Sequence, residues 1–384
     1  MRFLSADKIF DGVQFLAPAT VLALDEGGRL VEILPPGNQE NGNIQHLEGI
    51  LTPGFVNSHC HLELSHLKGL IPLRTGLPEF ARQVIMTRNS VGAAERVEHM
   101  HAAGQAMWKS GIVAVGDISN GPESFESKAA SPLFYHTFIE LIGLDPSRAD
   151  LVFNKSSELR QLLETYGLRG SLAPHAPYST SRDLIAKIAE YDQQQQLPFS
   201  IHNQESDEET RFFMGQKSGF EDLYRFLGLD VSWFKAPGHS SLAEYAAVLP
   251  RTPALLVHNT VSTSADLQLL DSTQAFCCFC PSANLYIEDS LPDFTLFSAW
   301  QNRICLGTDS HASNDALDLV KEANVILGAA NVFSLEILLR AMTSNGAQAL
   351  GISENFGRLL PGKNAGLNLL THTSSGLQFI KKIT

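Results

Sequence analysis

Eight short apolar runs recur between residues 49 and 309, with helix-patterned stretches between them. They span residues 49–59, 112–117, 138–142, 170–174, 199–202, 254–258, 275–280 and 303–309. Each is continuous and rich in β-branched or aromatic residues, as strands buried on both faces should be. Residues 93–110 carry apolar positions at helical spacing and stop before Gly111, and 181–191 open on an N-cap at Ser181 or Thr180. Residues 315–328 and 334–350 read as helices in the same way. Strand and helix alternating over this length predict an α/β protein, a (β/α)8 TIM barrel, with a doubly wound open sheet as the competing architecture.

The two ends break the pattern. Residues 20–24 form a short apolar run, Gly27-Gly28 marks a turn, and short strands resume at 366–370 and 378–381. A small β-sandwich unit built from both termini is expected, residues 1–53 plus 355–384, leaving 54–354 to the barrel. Hydrophobic residues make up 44% of the 384 and charged residues 18%, which supplies a large core and excludes global disorder. No stretch of about 18 apolar residues exists, so no membrane span is expected. The opening segment has no basic-then-apolar secretion pattern. A net charge of −13 repels a nucleic-acid backbone on average, leaving a small molecule as the expected partner. Three of the five cysteines, Cys277, Cys278 and Cys280, share one apolar run and read as buried thiols of a reducing cytoplasm.

In a barrel, functional residues belong at the C-terminal ends of the strands. The first run ends in His59-Cys60-His61, the fourth in His175, the fifth in His202, the sixth in His258 and the eighth in Asp309. On a strand, residues i and i+2 share a face, so His59 and His61 can converge on one metal while Cys60 points away. The pair His99 and His101 lies in a helical stretch, where that spacing sends the rings to nearly opposite sides. His202 to Glu205 has the form His-x-x-Glu, and its place after the fifth run separates Glu205 from the solvated acidic residues that follow. Asp309 closes an apolar strand, where an unpaired carboxylate is costly and a metal or histidine partner removes the cost. Three histidines and one aspartate give a nitrogen and oxygen donor set suited to Zn²⁺ or Fe²⁺, with a position open to water. His175 stands where a carbamylated lysine could bridge a second metal, so one divalent metal per chain is expected.

Three other matches fail. Residues 357–363 fit G-x-x-x-x-G-K, but Asn364 follows in place of Ser or Thr, no strand precedes, and Pro361 removes an amide. Cys277 and Cys280 have Cys-x-x-Cys spacing inside a core strand. His61-Leu62-Glu63 resembles half of the small zinc nucleoside deaminase signature, whose Pro-Cys-x-x-Cys half is missing.

The whole set, taken in order, resembles the amidohydrolase superfamily in its mononuclear deaminase and chlorohydrolase branch. The resemblance is carried by Thr52-Pro-Gly-Phe-Val-Asn-Ser-His-Cys-His61, Ala173-Pro-His-Ala-Pro-Tyr-Ser179, Ile201-His-Asn-Gln-Glu205, Leu256-Val-His258, Cys280-Pro-Ser-Ala-Asn284, Leu306-Gly-Thr-Asp-Ser310 and the closing turn 357–366. It implies His59, His61, His202 and Asp309 as metal ligands and Glu205 as proton shuttle. It implies His258 as the residue steering hydroxide or the developing oxyanion, with Asp309 sharing that task, and His175 as a substrate contact. Two positions depart from the pattern: Gly366 replaces a usual acidic residue, and Asn259-Thr260 follow His258 in place of small residues. The implied reaction is hydrolytic deamination of a ring carbon, with ammonia leaving.

His61-Leu-Glu-Leu-Ser65 and residues 80–89 are most similar to aminodeoxyfutalosine deaminases, which act on an adenine nucleoside in bacterial menaquinone synthesis. In that comparison Arg88 would pair with the substrate's benzoate carboxylate, with a helix-surface cation as the competing reading. Glu63 is a second pocket candidate and Arg148 a second anion-binding one. The rival substrates are S-adenosylhomocysteine, methylthioadenosine or adenosine, a guanine-type base, or a C–Cl bond. A non-catalytic scaffold is disfavoured because every ligand candidate is kept. The family also implies a homo-oligomer, commonly a dimer.

Overall fold

The structure, a computed structural model, describes residues 1–37, 43–363 and 365–384. Its strands in chain order are β1 (Arg2–Ile9), β2 (Val21–Leu24), β3 (Leu30–Leu34), β4 (Ile44–Pro53), β5 (Phe55–Cys60), β6 (Ile112–Ser119) and β7 (Phe134–Leu141). They continue as β8 (Arg169–Pro174), β9 (Phe199–Asn203), β10 (Ala254–His258), β11 (Ala275–Phe279), β12 (Ile304–Leu306), β13 (Leu367–Thr373) and β14 (Gly376–Lys382).

Strands β5 to β12 are the eight expected from the apolar runs. They form two four-stranded parallel sheets, β5-β6-β7-β8 and β9-β10-β11-β12. Every residue of these strands is buried except the first of β7 and of β8. Hydrogen bonds cross both seams. The His202 amide donates to the His175 carbonyl at 2.9 Å, and the Thr308 amide to the His59 carbonyl at 3.0 Å. A parallel bridge pairs Cys60 with Asp309. Both seams thus lie at the C-terminal ends of the strands, where the histidines are.

The first apolar run is divided at Pro53-Gly54. Its first half is β4, paired parallel to β1 and antiparallel to β13, and its second half is β5 of the barrel. Glycine is required at the crossing, because a Cβ on Gly54 would lie 2.4 Å from Val113 Cγ1. The termini meet in one hydrogen-bonded sheet of order β14-β13-β4-β1-β2-β3. It folds over a leucine-rich core that includes Leu4, Leu22, Leu51 and Leu369. The Gly362 amide reaches across to the Leu30 carbonyl at 2.7 Å. Gly366 has φ +70° and its Cβ would strike Val113 at 2.7 Å, which accounts for glycine where an acidic residue was the expected type. Asn364, in the closing turn, lies outside the described residues.

Two helix expectations need correction. Residues 334–350 are two helices, Leu335–Ala341 and Ser344–Ala349. Thr343 between them leaves helical geometry at φ −132° and ψ −93°, and the Met342 carbonyl accepts from the Val56 amide of β5 at 2.8 Å. The helix expected from residue 315 begins at Leu319, because the Asp318 side chain caps it by accepting from the Val320 amide; Asp315 pairs with Lys321. His99 and His101 are exposed on the helix Ala93–Lys109. All five cysteines are free and buried. Among the described residues, no helix is long and apolar enough to cross a membrane.

Candidate metal centre and active site

Side chains from β5, β9 and the end of β12 converge at one rim of the barrel. His61 Nε2 lies 3.1 Å from His59 Nε2 and 3.2 Å from His202 Nε2. Asp309 Oδ1 lies 3.6 Å from His59 Nε2 and 3.5 Å from His61 Nε2. A four-coordinate zinc with bonds of about 2.0–2.1 Å spaces its donors about 3.3–3.4 Å apart, so this set fits a divalent cation. The tautomer of His202 agrees with that use. His202 Nδ1 donates to the His175 carbonyl at 2.7 Å, which leaves its Nε2 lone pair facing the cluster. Three imidazole nitrogens and a carboxylate this close, all buried, would be stabilised by a cation at their centre.

The backbone is bent to make this possible. Gln204, His258, Asn259 and Asp309 have φ of 48°, 78°, 60° and 54°. Left-handed conformations of this kind cost about 1–3 kcal/mol each in non-glycine residues and persist where surrounding contacts fix them. The Glu209 carboxylate fixes one such turn: its two oxygens accept from the amides of Gln204 and Glu205 at 3.2 Å each. Ser313 Oγ donates to Asp309 Oδ2.

Glu205 and His258 stand beside the cluster. His258 Nδ1 is 2.8 Å from Asn284 Oδ1, so Nδ1 carries the proton and Nε2 faces Glu205 Oε1 at 3.4 Å. Burial, reinforced by Asp309, Glu209 and Glu288, pushes the Glu205 carboxyl well above its ordinary range. Burial lowers His258 to about 4 and His175 to about 4, so both rings are neutral near pH 7. A divalent charge at the cluster would draw Glu205 back down. A carboxyl tuned between these two influences is suited to taking up and releasing a proton.

The cluster opens into a cavity of about 170 Å³. Leu77, Phe80, Val84 and Arg88 of the helix Leu77–Thr87 and its cap form one wall. Asn120, Glu140, His175 and Tyr178 line the cavity beside them. The structure therefore brings together His59, His61, His202, Asp309, Glu205, His258 and His175, and it places Arg88 on the cavity wall. Glu63 lies behind that wall: it accepts from the Asn120 amide at 2.9 Å and pairs with Arg88 at 3.5 Å. Arg148 does not join them. It is exposed at the start of the helix Ala149–Thr165, away from the residues that line the cavity.

Sequence reasoning missed several residues. Glu140 and Asn120 line the cavity, Asn284 sets the His258 tautomer, and Glu209 braces the turn that carries Glu205. Asp117 accepts from the Leu62 amide at 2.7 Å, directly after His61, and is paired with the fully buried Lys128 at 2.5 Å. Glu140 and Asp117 had a visible signal: each is a carboxylate inside an apolar run, the same argument that singled out Asp309.

The amidohydrolase family model matches residues 50–383. The chain belongs to the amidohydrolase family. An adenosine deaminase of Helicobacter pylori is 30% identical over 331 residues, covering 83% of this amidohydrolase and 78% of that protein. An aminodeoxyfutalosine deaminase of Deinococcus radiodurans is 27% identical over 316 residues, covering 79% and 73%. The crystal structure of Helicobacter pylori aminofutalosine deaminase in complex with methylthio-coformycin superposes with a TM-score of 0.83 at 25% identity, covering 97% of this chain and 93% of that one.

Proposed function

We propose that this amidohydrolase is a metal-dependent aminohydrolase of the adenine ring of a nucleoside, with aminodeoxyfutalosine as the favoured substrate. Water replaces the exocyclic amino group, the ring gains a carbonyl, and ammonia leaves. One observation carries the reading: three histidine nitrogens and the Asp309 carboxylate converge within 3.6 Å contacts, with Glu205 and His258 beside them at the mouth of a cavity. His59, His61, His202 and Asp309 would hold one divalent cation, and the nitrogen and oxygen donors suit zinc, with iron the alternative. When bound, such a cation supplies the Lewis acidity that makes water a nucleophile near neutral pH.

The chain's own residues do the rest. Glu205 takes the proton from the attacking water and passes it to the ring nitrogen next to the reacting carbon. His258, its proton fixed on Nδ1 by Asn284, presents Nε2 to Glu205 and orients the nucleophile. His175 contacts the ring from the β8 side. Arg88 offers a guanidinium to an anionic 5′ substituent, and Glu63 behind it limits how far that side chain swings.

An ammonia-release assay on metal-replete protein tests this, with aminodeoxyfutalosine, S-adenosylhomocysteine, methylthioadenosine, adenosine, guanine and cytosine. Turnover of an adenine nucleoside is expected, with the carboxylate-bearing one fastest. Arg88→Ala should lower kcat/KM for that nucleoside more than for adenosine. No ammonia from any nucleoside, with metal bound, would overturn the reading.

A further inference from the structure

One part of the cavity wall takes no role in the chemistry above. Glu140, next to last in β7, lines the cavity and its side chain is only 4% exposed. Asn120, just beyond β6, donates through Nδ2 to Glu140 Oε2 at 2.8 Å. Asn120 is itself anchored by Glu63, which accepts from its backbone amide. One carboxylate oxygen is thereby fixed. The other, Oε1, is buried and has no hydrogen-bond partner among the described residues. The nearest ring nitrogen, His202 Nδ1, is 3.8 Å away and already donates to the His175 carbonyl at 2.7 Å.

A buried acceptor without a donor is costly, and a ligand that supplies the donor recovers that cost as affinity. Arg88, joined to Asn120 through Glu63, offers donors and calls for an acceptor. Glu140 Oε1 calls for the reverse, an O–H or N–H. An adenine nucleoside has two kinds of donor: its exocyclic amine, which the reaction delivers to the Glu205 side, and its sugar hydroxyls.

We infer that Glu140, held in place by Asn120, is a specificity-determining residue that accepts a hydrogen bond from the 2′- or 3′-hydroxyl of the substrate's ribose. The inference rests on the nucleoside reading given above and adds that the enzyme requires an intact sugar diol. A site built around one such hydrogen bond rejects the analogue that lacks the hydroxyl, because its own acceptor is then left unpaired.

The test compares kcat/KM for adenosine, 2′-deoxyadenosine and 3′-deoxyadenosine in the metal-replete wild type and in Glu140→Gln, with metal content measured for both. The wild type should favour adenosine over at least one deoxy analogue by about tenfold or more. In the variant that ratio should fall to within about twofold, with metal unchanged. A wild type indifferent to both hydroxyls overturns the inference, and this arm needs no variant to fold. So does a ratio that survives in the variant. Loss of metal at an unchanged ratio would make Glu140 an orienting partner of His202. No turnover of any of the three nucleosides is a different result: the nucleoside reading itself then fails, and this inference with it.

Discussion

Glu205 faces His258 at 3.4 Å, while Glu209, one helical turn later, spends its carboxylate on the amides of Gln204 and Glu205. Two buried acids on one short segment are therefore held differently: one, the proposed proton carrier, faces His258, and the other fixes the backbone that aims it. Glu205→Gln keeps the shape and removes the proton site. Turnover should fall by about 10²–10⁴, with bound metal retained; metal lost in parallel with turnover would recast Glu205 as a ligand. A different buried group makes stability depend on pH. His136, inside the barrel, is lowered to about 3 by burial and by Arg169, Lys128 and Arg160, from an ordinary value of 6.5. Its Nε2 rests 3.0 Å from Ser171 Oγ. Between these two values the unfolded chain binds the proton and the folded chain does not, so stability is full above 6.5 and declines as pH falls below it. The limiting slope is about 1.4 kcal/mol per pH unit for one such group. In urea unfolding at pH 5, 6 and 7, His136→Gln should decline less steeply than wild type by about one proton. Parallel curves would show that the ring is protonated equally in both states.

Among the elements, β5 and β6 show how the rim is stiffened. The Leu62 amide, next after His61, is held by Asp117 of β6, and Asp117 is neutralised by Lys128, which also donates to Ser119 Oγ at 2.7 Å and Thr137 Oγ1 at 3.2 Å. Removing one member of a buried pair leaves an uncompensated charge and costs about 3–5 kcal/mol. Lys128→Met should show that loss in chemical denaturation. Adding Asp117→Leu should recover only part of it, because the Leu62 amide then has no acceptor; full recovery would remove Asp117 from its bracing role. Elements of this kind mark where the sequence stops being legible. The eight strands could be read because each is a local apolar run, and the histidines because each closes one. The Asp117–Lys128 pair joins a strand to a helix beyond it, and the Asn284 contact to His258 spans 26 residues. No local pattern fixes such pairings; they follow from how the barrel wraps. The helix break at Thr343 was hidden for a similar reason, since it exists to give the Met342 carbonyl to β5.

At the scale of the whole molecule, the candidate site and its support occupy opposite ends of the strands. The termini brace the N-terminal end, where the Phe55 amide bonds the Gly111 carbonyl at 2.9 Å and Asn368 of β13 donates to the same carbonyl at 2.8 Å. The candidate ligands sit at the other end and come from both half-barrels: His59 from β5 and His61 just past it, His202 from β9, and Asp309 just past β12. A cation held by all of them would tie the two four-stranded sheets together at the seams where each pair of edge strands shares few hydrogen bonds. A ligand that binds only the folded state at about 1,000 times its Kd adds about 4 kcal/mol. Chelation should therefore lower Tm, and readdition of zinc should restore it. The location of the effect is the sharper test. Hydrogen exchange should quicken at the seam amides of His202 and Thr308 while β13 amides bonded to β4 stay protected. Uniform quickening across both regions would mean that the cation stabilises the fold only globally, and unchanged seam exchange would mean that the half-barrels close without its help.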